Sequence, residues 1–219
     1  MHLDETKALF KGVIAGICRD APGRDELAEA AFPAYANRNP VIDWIFWRRL
    51  RLAERYVLQS RAQRVLDFGC GSGVMVHCLA SAGLEVVGVD VNLAPLRAVC
   101  RCIKFPQSAS FATPEELDGQ CDRFDAILAL DVLEHIADLS GFIATAKRLL
   151  KTGGAVVVSG PTENLLYRLG RKLAGKEYSG NYHVSDIERI RERLAQSFVI
   201  EPIATIYPPL PLFRLFAAR

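Results

Sequence analysis

What the chain lacks excludes several classes of protein. It has no uncharged apolar run of roughly 20 residues, the length that a transmembrane helix needs, so we predict no membrane-spanning segment. Its net charge is only +2, which favours no general attraction to nucleic acid or to acidic membranes. It also lacks an Asn-Pro-Pro-Tyr-like stretch and a dense basic patch with interleaved aromatic residues. We therefore predict no nucleic-acid partner.

The cysteines are few and are not arranged as metal ligands. The six cysteines show no C-x-x-C pair and no partner histidine cluster, so we predict no zinc site and no metal ligand set. No secretory segment is recognisable near the start. Reduced thiols in the cytoplasm are the simpler interpretation.

A glycine-rich turn, VLDFGCGSG at residues 65–73, is the most informative stretch that is present. A dinucleotide site of the G-x-G-x-x-G type would need a glycine at Val74, and no Lys-Ser or Lys-Thr pair follows to make a phosphate-binding P-loop. The carboxylate of Asp67 precedes the glycines and would repel a pyrophosphate. The turn therefore favours a ligand that carries positive charge.

Two further acids follow apolar strands. Asp90 ends the segment VVGVD about twenty residues beyond the turn, where doubly wound folds place the carboxylate that binds ribose hydroxyls. Asp131 follows the strand within FDAILALDVLEHI. Because the carboxyl ends of parallel strands meet at one edge of a sheet, we expect Asp67, Asp90 and Asp131 to form a single site.

The pattern as a whole predicts an α/β fold with strands and helices in alternation. We predict strands near 64–68, 85–89, 108–112, 124–130 and 154–159, and helices near 73–82, 93–103, 138–151 and 186–196. The 138–151 helix is expected to stop at the glycine signal 152–154, and a capping box at Ser185 and Glu188 to start the last helix. Residues 1–60 are predicted to form a helical cap, and residues 61–219 the main domain with an insert at 161–184. In the cap, apolar residues recur at helical spacing at Leu9, Phe10, Val13, Ile14 and Ile17.

With these three motifs the chain resembles the class I S-adenosylmethionine-dependent methyltransferases. The resemblance implies a doubly wound, Rossmann-like sheet of seven strands, mostly parallel, closed by an antiparallel hairpin from 198–206 and 212–217. It implies S-adenosylmethionine as cofactor, with Asp67 facing its amino end and Asp90 binding its ribose. The remaining implied contacts are the methionine moiety over Gly69, Gly71 and Gly73, adenine on Val91, and the adenine edge near Thr113.

The resemblance implies methyl transfer to a small-molecule or lipid-like acceptor. Alignment of the acceptor can supply much of the catalysis, and His135 is the best candidate for a base. Two alternatives remain at this segment. Glu134 and His135 could merely order a turn, or Asp131, Glu134 and His135 could hold a divalent cation, as the similar D/E-x-x-E-H segment of ubiquinone-pathway O-methyltransferases implies.

Two other functions remain open from the sequence: a non-catalytic S-adenosylmethionine-binding regulator, and a nucleotide-dependent oxidoreductase, which Asp67 and the glycine spacing oppose. Leucines and basic residues near 165–173 could form a helix at a lipid surface or an ordinary surface helix. The sequence specifies no oligomeric state.

Overall fold

The architecture was taken from a computed structural model, which describes residues 2–20, 32–37, 39–162, 186–206 and 211–219. The chain divides into two compact units, Met1–Gly119 and Gln120–Arg219. The predicted insert at 161–184, with the basic helix near 165–173, lies almost entirely outside the described residues. The predicted boundary between a cap and a main domain at residue 60 stays a prediction.

Helices begin the first unit: α1 (His2–Asp20), α2 (Phe32–Tyr35) and α3 (Pro40–Gln59). Asn39 caps α3, since its side chain accepts the amide N–H groups of Val41 and Ile42 and Pro40 occupies the first turn. The buried face of α1 consists of Leu3, Thr6, Phe10 and Ile14. Of the apolar residues that recur at helical spacing, Phe10 and Ile14 are therefore buried, whereas the Leu9 side chain is exposed.

Three parallel strands follow in the first unit, in the order β3-β2-β1. They are β1 (Arg64–Phe68), β2 (Glu85–Val89) and β3 (Ala109–Ala112), with α4 (Val74–Ser81) and α5 (Ala94–Cys100) between them. Val65 pairs with Val86, and Val86 with Ala109. The strands thus run in register, and their carboxyl ends fall at one edge of this part of the sheet.

The second unit contains four strands in the order β4-β5-β7-β6. They are β4 (Phe124–Leu130), β5 (Leu150–Pro161), β6 (Ile200–Ile206) and β7 (Phe213–Ala218), with α6 (Leu139–Leu149) and α7 (Ile187–Ala195) between them. β4 and β5 are parallel, whereas β7 is antiparallel to both β5 and β6. The described residues therefore form the seven strands, mostly parallel with a C-terminal antiparallel pair, and the predicted fold class is confirmed.

One predicted boundary in this unit was wrong. Helix α6 ends at Leu149 and β5 begins at Leu150, so residues 152–154 belong to a strand and not to a glycine C-cap. The pairing of β4 with β5 shifts between Phe124 and Ala126, and this irregularity accommodates Gly153 at φ +79°. Helix α7 is capped by Asp186, which accepts the Arg189 N–H, while Ser185 of the predicted capping box lies outside the described residues.

Within the described residues, no helix has both the length and the apolar character needed to cross a membrane.

Candidate functional site

The turn after β1 has the backbone geometry that its glycines allow. Gly69, Gly71 and Gly73 all have positive φ, at +76°, +50° and +79°. The N–H groups of Gly69 and Cys70 both donate to the carbonyl of Val89, at 2.8 and 3.0 Å. These bonds fasten the turn to the end of β2, and Gly73 then leads into α4.

Asp90 is bound to this turn through its side chain. Its Oδ2 accepts the N–H of Gly71 at 2.8 Å, and its Oδ1 accepts the N–H of Asn92 at 3.1 Å. Each carboxylate oxygen can accept more than one hydrogen bond, so both keep acceptor capacity. Asp90 is therefore held rigidly beside the glycines, with its position set by backbone donors.

The surroundings of Asp67 disfavour its charged form. The Asp67 side chain is only 4% exposed. Burial, and secondly the negative charge of Asp90, raise its pKa to about 7. Burial followed by the charges of Asp67 and Asp90 also raises the pKa of Cys70 well above its usual range. The centre of the site is thus short of positive charge.

Two residues were predicted near adenine, Val91 and Thr113, and their surroundings differ from one another. Val91 directly follows Asp90 and is 87% exposed, so its side chain is available to a ligand. Thr113 precedes a 3₁₀ turn at Pro114–Leu117, and its N–H donates to Glu116 Oε2 at 2.6 Å. Thr113 therefore has a local structural role, and its predicted contact with a cofactor stays a prediction.

In the second unit, Asp131 stands at the end of β4 in the left-handed region, at φ +54°. Its N–H donates to the carbonyl of Ser159 at 3.0 Å, and the Ser159 hydroxyl donates to its Oδ1 at 2.8 Å. A non-glycine residue in this region carries backbone strain, and such strain concentrates at functional sites. Sequence reasoning missed Ser159, since only the β4–β5 register places it opposite Leu130, the residue before Asp131.

Glu134 and His135 follow Asp131 in a short 3₁₀ turn, Leu133–His135. The Glu134 side chain is 2% exposed, whereas His135 is exposed. No group of three or more His, Cys, Asp or Glu side chains suited to a metal ion occurs in the part of the chain that is described. The described residues therefore give no support to the alternative that Asp131, Glu134 and His135 hold a cation.

The chemistry of the first-unit site fits S-adenosylmethionine. A buried carboxylate with a raised pKa gains most from a ligand that brings a positive charge, as the amino group and sulfonium of this cofactor do. A second carboxylate, Asp90, stands ready to accept hydroxyl donors, as ribose recognition requires. The predicted residues Asp67, Gly69, Gly71, Gly73 and Asp90 come together here. Their roles toward the cofactor stay predictions.

The fold, together with the acids at the ends of β1, β2 and β4, is typical of one class of proteins, the Rossmann-like class I methyltransferases. The model of a family described as "Methyltransferase domain" matches residues 43–197. The chain belongs to this family, which confirms the predicted resemblance.

Curated relatives match a smaller part of the chain. A protein named ubiquinone biosynthesis O-methyltransferase from Chelativorans sp. is 36% identical over 120 residues, covering 52% of this chain and 46% of the relative. A protein of the same name from Pseudomonas aeruginosa is 34% identical over 140 residues, covering 60% of this chain and 55% of the relative. The chain spans about half the length of the curated relatives that it matches.

Solved structures of low sequence identity share the fold. The magnesium protoporphyrin IX methyltransferase of Synechocystis PCC 6803, solved with bound SAH, superposes with a TM-score of 0.64 at 20% identity, covering 90% of this chain and 97% of that one. A putative O-methyltransferase from Nostoc punctiforme gives a TM-score of 0.59 at 15% identity, covering 78% of this chain and 56% of the other. These likenesses concern the fold alone.

Proposed function

We propose that this protein transfers a methyl group from S-adenosylmethionine to a hydroxyl oxygen of a small, lipid-like molecule. The observation that carries the cofactor assignment is the pair of carboxylates at the glycine-rich turn, with Asp67 buried and Asp90 held by the Gly71 N–H. The choice of oxygen as acceptor is supported by the relatives named ubiquinone biosynthesis O-methyltransferase. A small-molecule acceptor is also in keeping with the absence of a nucleic-acid-binding signature from the sequence.

Each site residue has a distinct part in this proposal. Asp90 binds the ribose hydroxyls with the acceptor capacity left over from its two amide partners. Asp67 compensates the positive amino end of the cofactor, and the glycine turn allows close backbone approach. The bound cofactor supplies a methyl group on a sulfonium, which is already a reactive electrophile.

His135 is the proposed proton acceptor. His135 would take the proton of the acceptor hydroxyl on an imidazole nitrogen while the methyl carbon exchanges its bond to the sulfonium sulfur for a bond to the acceptor oxygen, so that S-adenosylhomocysteine, a neutral thioether, is the leaving group. The exposure of His135 at the end of a short turn supports this role, since an incoming acceptor can reach it.

We also propose a cytoplasmic location. This proposal is supported by the six cysteines, all in the described part of the chain, since no disulfide joins any two of them.

Cofactor binding is tested by calorimetry on the full chain with S-adenosylhomocysteine and, separately, with NADH. We expect Asp90→Ala to weaken S-adenosylhomocysteine binding by about 1–3 kcal/mol, because ribose hydroxyls lose their acceptor. Glu85→Gln is the matched control, since Glu85 begins the strand that precedes Asp90 and its half-exposed side chain forms an ion pair with Arg64 at 3.1 Å. An unchanged dissociation constant for Asp90→Ala removes that residue from the site, and binding of NADH alone overturns the proposal.

Turnover is tested by mass spectrometry of hydroxylated aromatic acceptors incubated with the protein and S-adenosylmethionine. If His135 is the base, we expect His135→Gln to lower the rate about 10²- to 10⁴-fold while leaving S-adenosylhomocysteine affinity and melting temperature unchanged. A lower melting temperature with an unchanged rate would instead assign His135 to ordering its turn. Tight cofactor binding without methylation of any acceptor would favour the regulatory alternative.

A further inference from the structure

Four aromatic side chains of the first unit form a continuous chain of ring contacts. Phe10 of α1 meets His77 of α4 edge-to-face, with ring centroids 5.3 Å apart. Both rings also contact Phe105, in the segment between α5 and β3, at 6.0 and 5.5 Å. Phe105 then meets Phe111 of β3 at 5.1 Å. This chain of rings, which we call the aromatic chain, connects α1 to residues near the glycine-rich turn.

The aromatic chain covers two glycines of the candidate cofactor site. A Cβ atom added to Gly73 would lie 3.0 Å from Phe105 Cζ and 2.7 Å from a methyl carbon of Leu96. A Cβ atom added to Gly88, two residues before Asp90, would lie 3.0 Å from Phe111 Cδ1. The rings therefore pack directly on the backbone of the turn and of the strand that precedes Asp90. Because protein interiors are close-packed, a shift in ring position would displace that backbone.

The other end of the aromatic chain is fixed by α1. The Phe10 side chain is fully buried, and Thr6, one turn earlier, has its Oγ1 3.2 Å from Nδ1 of His77. The N–H of Leu3 donates to the buried carboxylate of Glu54 at 3.0 Å, and the same oxygen accepts the thiol of Cys78 at 3.4 Å. Helix α1 is thus attached to the helix that starts at the glycine-rich turn, by polar bonds as well as by packing.

From these contacts we propose that Phe10, acting through His77 and Phe105, is a positioning residue for the glycine-rich turn, so that docking of α1 sets the affinity for cofactor. This rests on the proposed function. The Phe10 side chain is fully buried, and its effect passes through the Phe105 ring, which packs on Gly73. When the Phe10 ring is missing, Phe105 loses one of its three ring neighbours, and the turn spends less time in the binding geometry.

The test compares S-adenosylhomocysteine affinity, by calorimetry, with melting temperature for single ring deletions in the full chain. If the turn keeps its binding geometry one tenth of the time, apparent affinity falls about tenfold, and we expect a loss of this order for Phe10→Leu and for Phe105→Leu. Because the two rings act in series, the double variant should lose little more than the weaker-binding single variant. Phe10→Met, whose unbranched and flexible side chain can fill the space more readily than leucine without a ring, replaces Phe10→Leu should the latter not fold.

Phe124→Leu is the matched control, since Phe124 is a fully buried ring in β4 that takes no part in the aromatic chain. We expect it to lower the melting temperature about as much as Phe10→Leu and to leave cofactor affinity unchanged. An unchanged affinity in folded Phe10→Leu, or an equal loss in Phe124→Leu, overturns the inference while the proposed function stands. Failure of the wild-type chain to bind S-adenosylhomocysteine overturns both.

Discussion

The ends of β1 and β4 each carry an aspartate, and the two aspartates are destabilised in different ways. Asp67 has an ordinary strand conformation, but its carboxylate is buried beside a second negative charge and its pKa rises to about 7. Asp131 has a hydroxyl donor from Ser159, but its backbone lies at φ +54°. One site stores unfavourable electrostatic energy and the other stores backbone strain.

The difference indicates what each carboxylate gains when a ligand arrives. A cation bound near Asp67 removes an electrostatic penalty, so ligand affinity and ligand-free stability should respond in opposite directions to its removal. At Asp131 the strain comes from the local backbone and should persist whatever charge the side chain carries.

The largest effect is expected from Asp67→Asn. A pKa raised from 3.8 to about 7 corresponds to about 4 kcal/mol of unfavourable ionisation above pH 7. The penalty is absent below about pH 4, grows as pH rises, and is complete above the folded-state pKa. We expect the ligand-free variant to be about 2 kcal/mol more stable than wild type at pH 8 and no more stable at pH 4, measured by urea unfolding.

The same substitution should weaken S-adenosylhomocysteine binding about tenfold to a hundredfold, because a charged partner of the amino group is lost. Asp125→Asn serves as control, since Asp125 forms a half-exposed ion pair with Lys151 at 2.8 Å. It should change stability by less than about 1 kcal/mol. If Asp67→Asn destabilises the ligand-free protein at pH 8 and binds cofactor as wild type does, Asp67 carries no electrostatic penalty that a ligand relieves, and its contrast with Asp131 is lost.

A smaller effect is expected from the difference in stability between two variants of Asp131. Asp131→Ala and Asp131→Gly both remove the acceptor of the buried Ser159 hydroxyl, at a cost of about 1–3 kcal/mol. Glycine tolerates positive φ and alanine does not, so the glycine variant should be about 1 kcal/mol more stable than the alanine variant in urea unfolding.

Ser159→Ala isolates the hydroxyl bond and should cost about 1 kcal/mol without touching the backbone at Asp131. Equal stability of the alanine and glycine variants would show that Asp131 carries no backbone strain, and the contrast with Asp67 would then be lost.

Much of this architecture could be predicted because it depends on local pattern. The apolar runs that end at Asp67, Asp90 and Asp131 are strands at nearly the predicted residues, and the glycines of the turn have the positive φ values that favour them. The end of α6 was mistaken, since Gly153 resembles a helix stop whereas pairing of β5 with β4 draws Leu150 into a strand. Tertiary pairing overrode the local signal there.

The sequence by itself determined the order of the strands and helices, the place of the glycine-rich turn and the three acids at strand ends, because these follow from the periodicity of side chains and the conformational freedom of glycine. Only the tertiary structure decided that Asp90 accepts the Gly71 N–H and that the Ser159 hydroxyl donates to Asp131. It also decided that Asp67 is buried enough to raise its pKa, and that Phe10 reaches the turn through Phe105. These contacts join residues far apart in the chain, and the register of packed elements fixes them, so no local pattern could have revealed them.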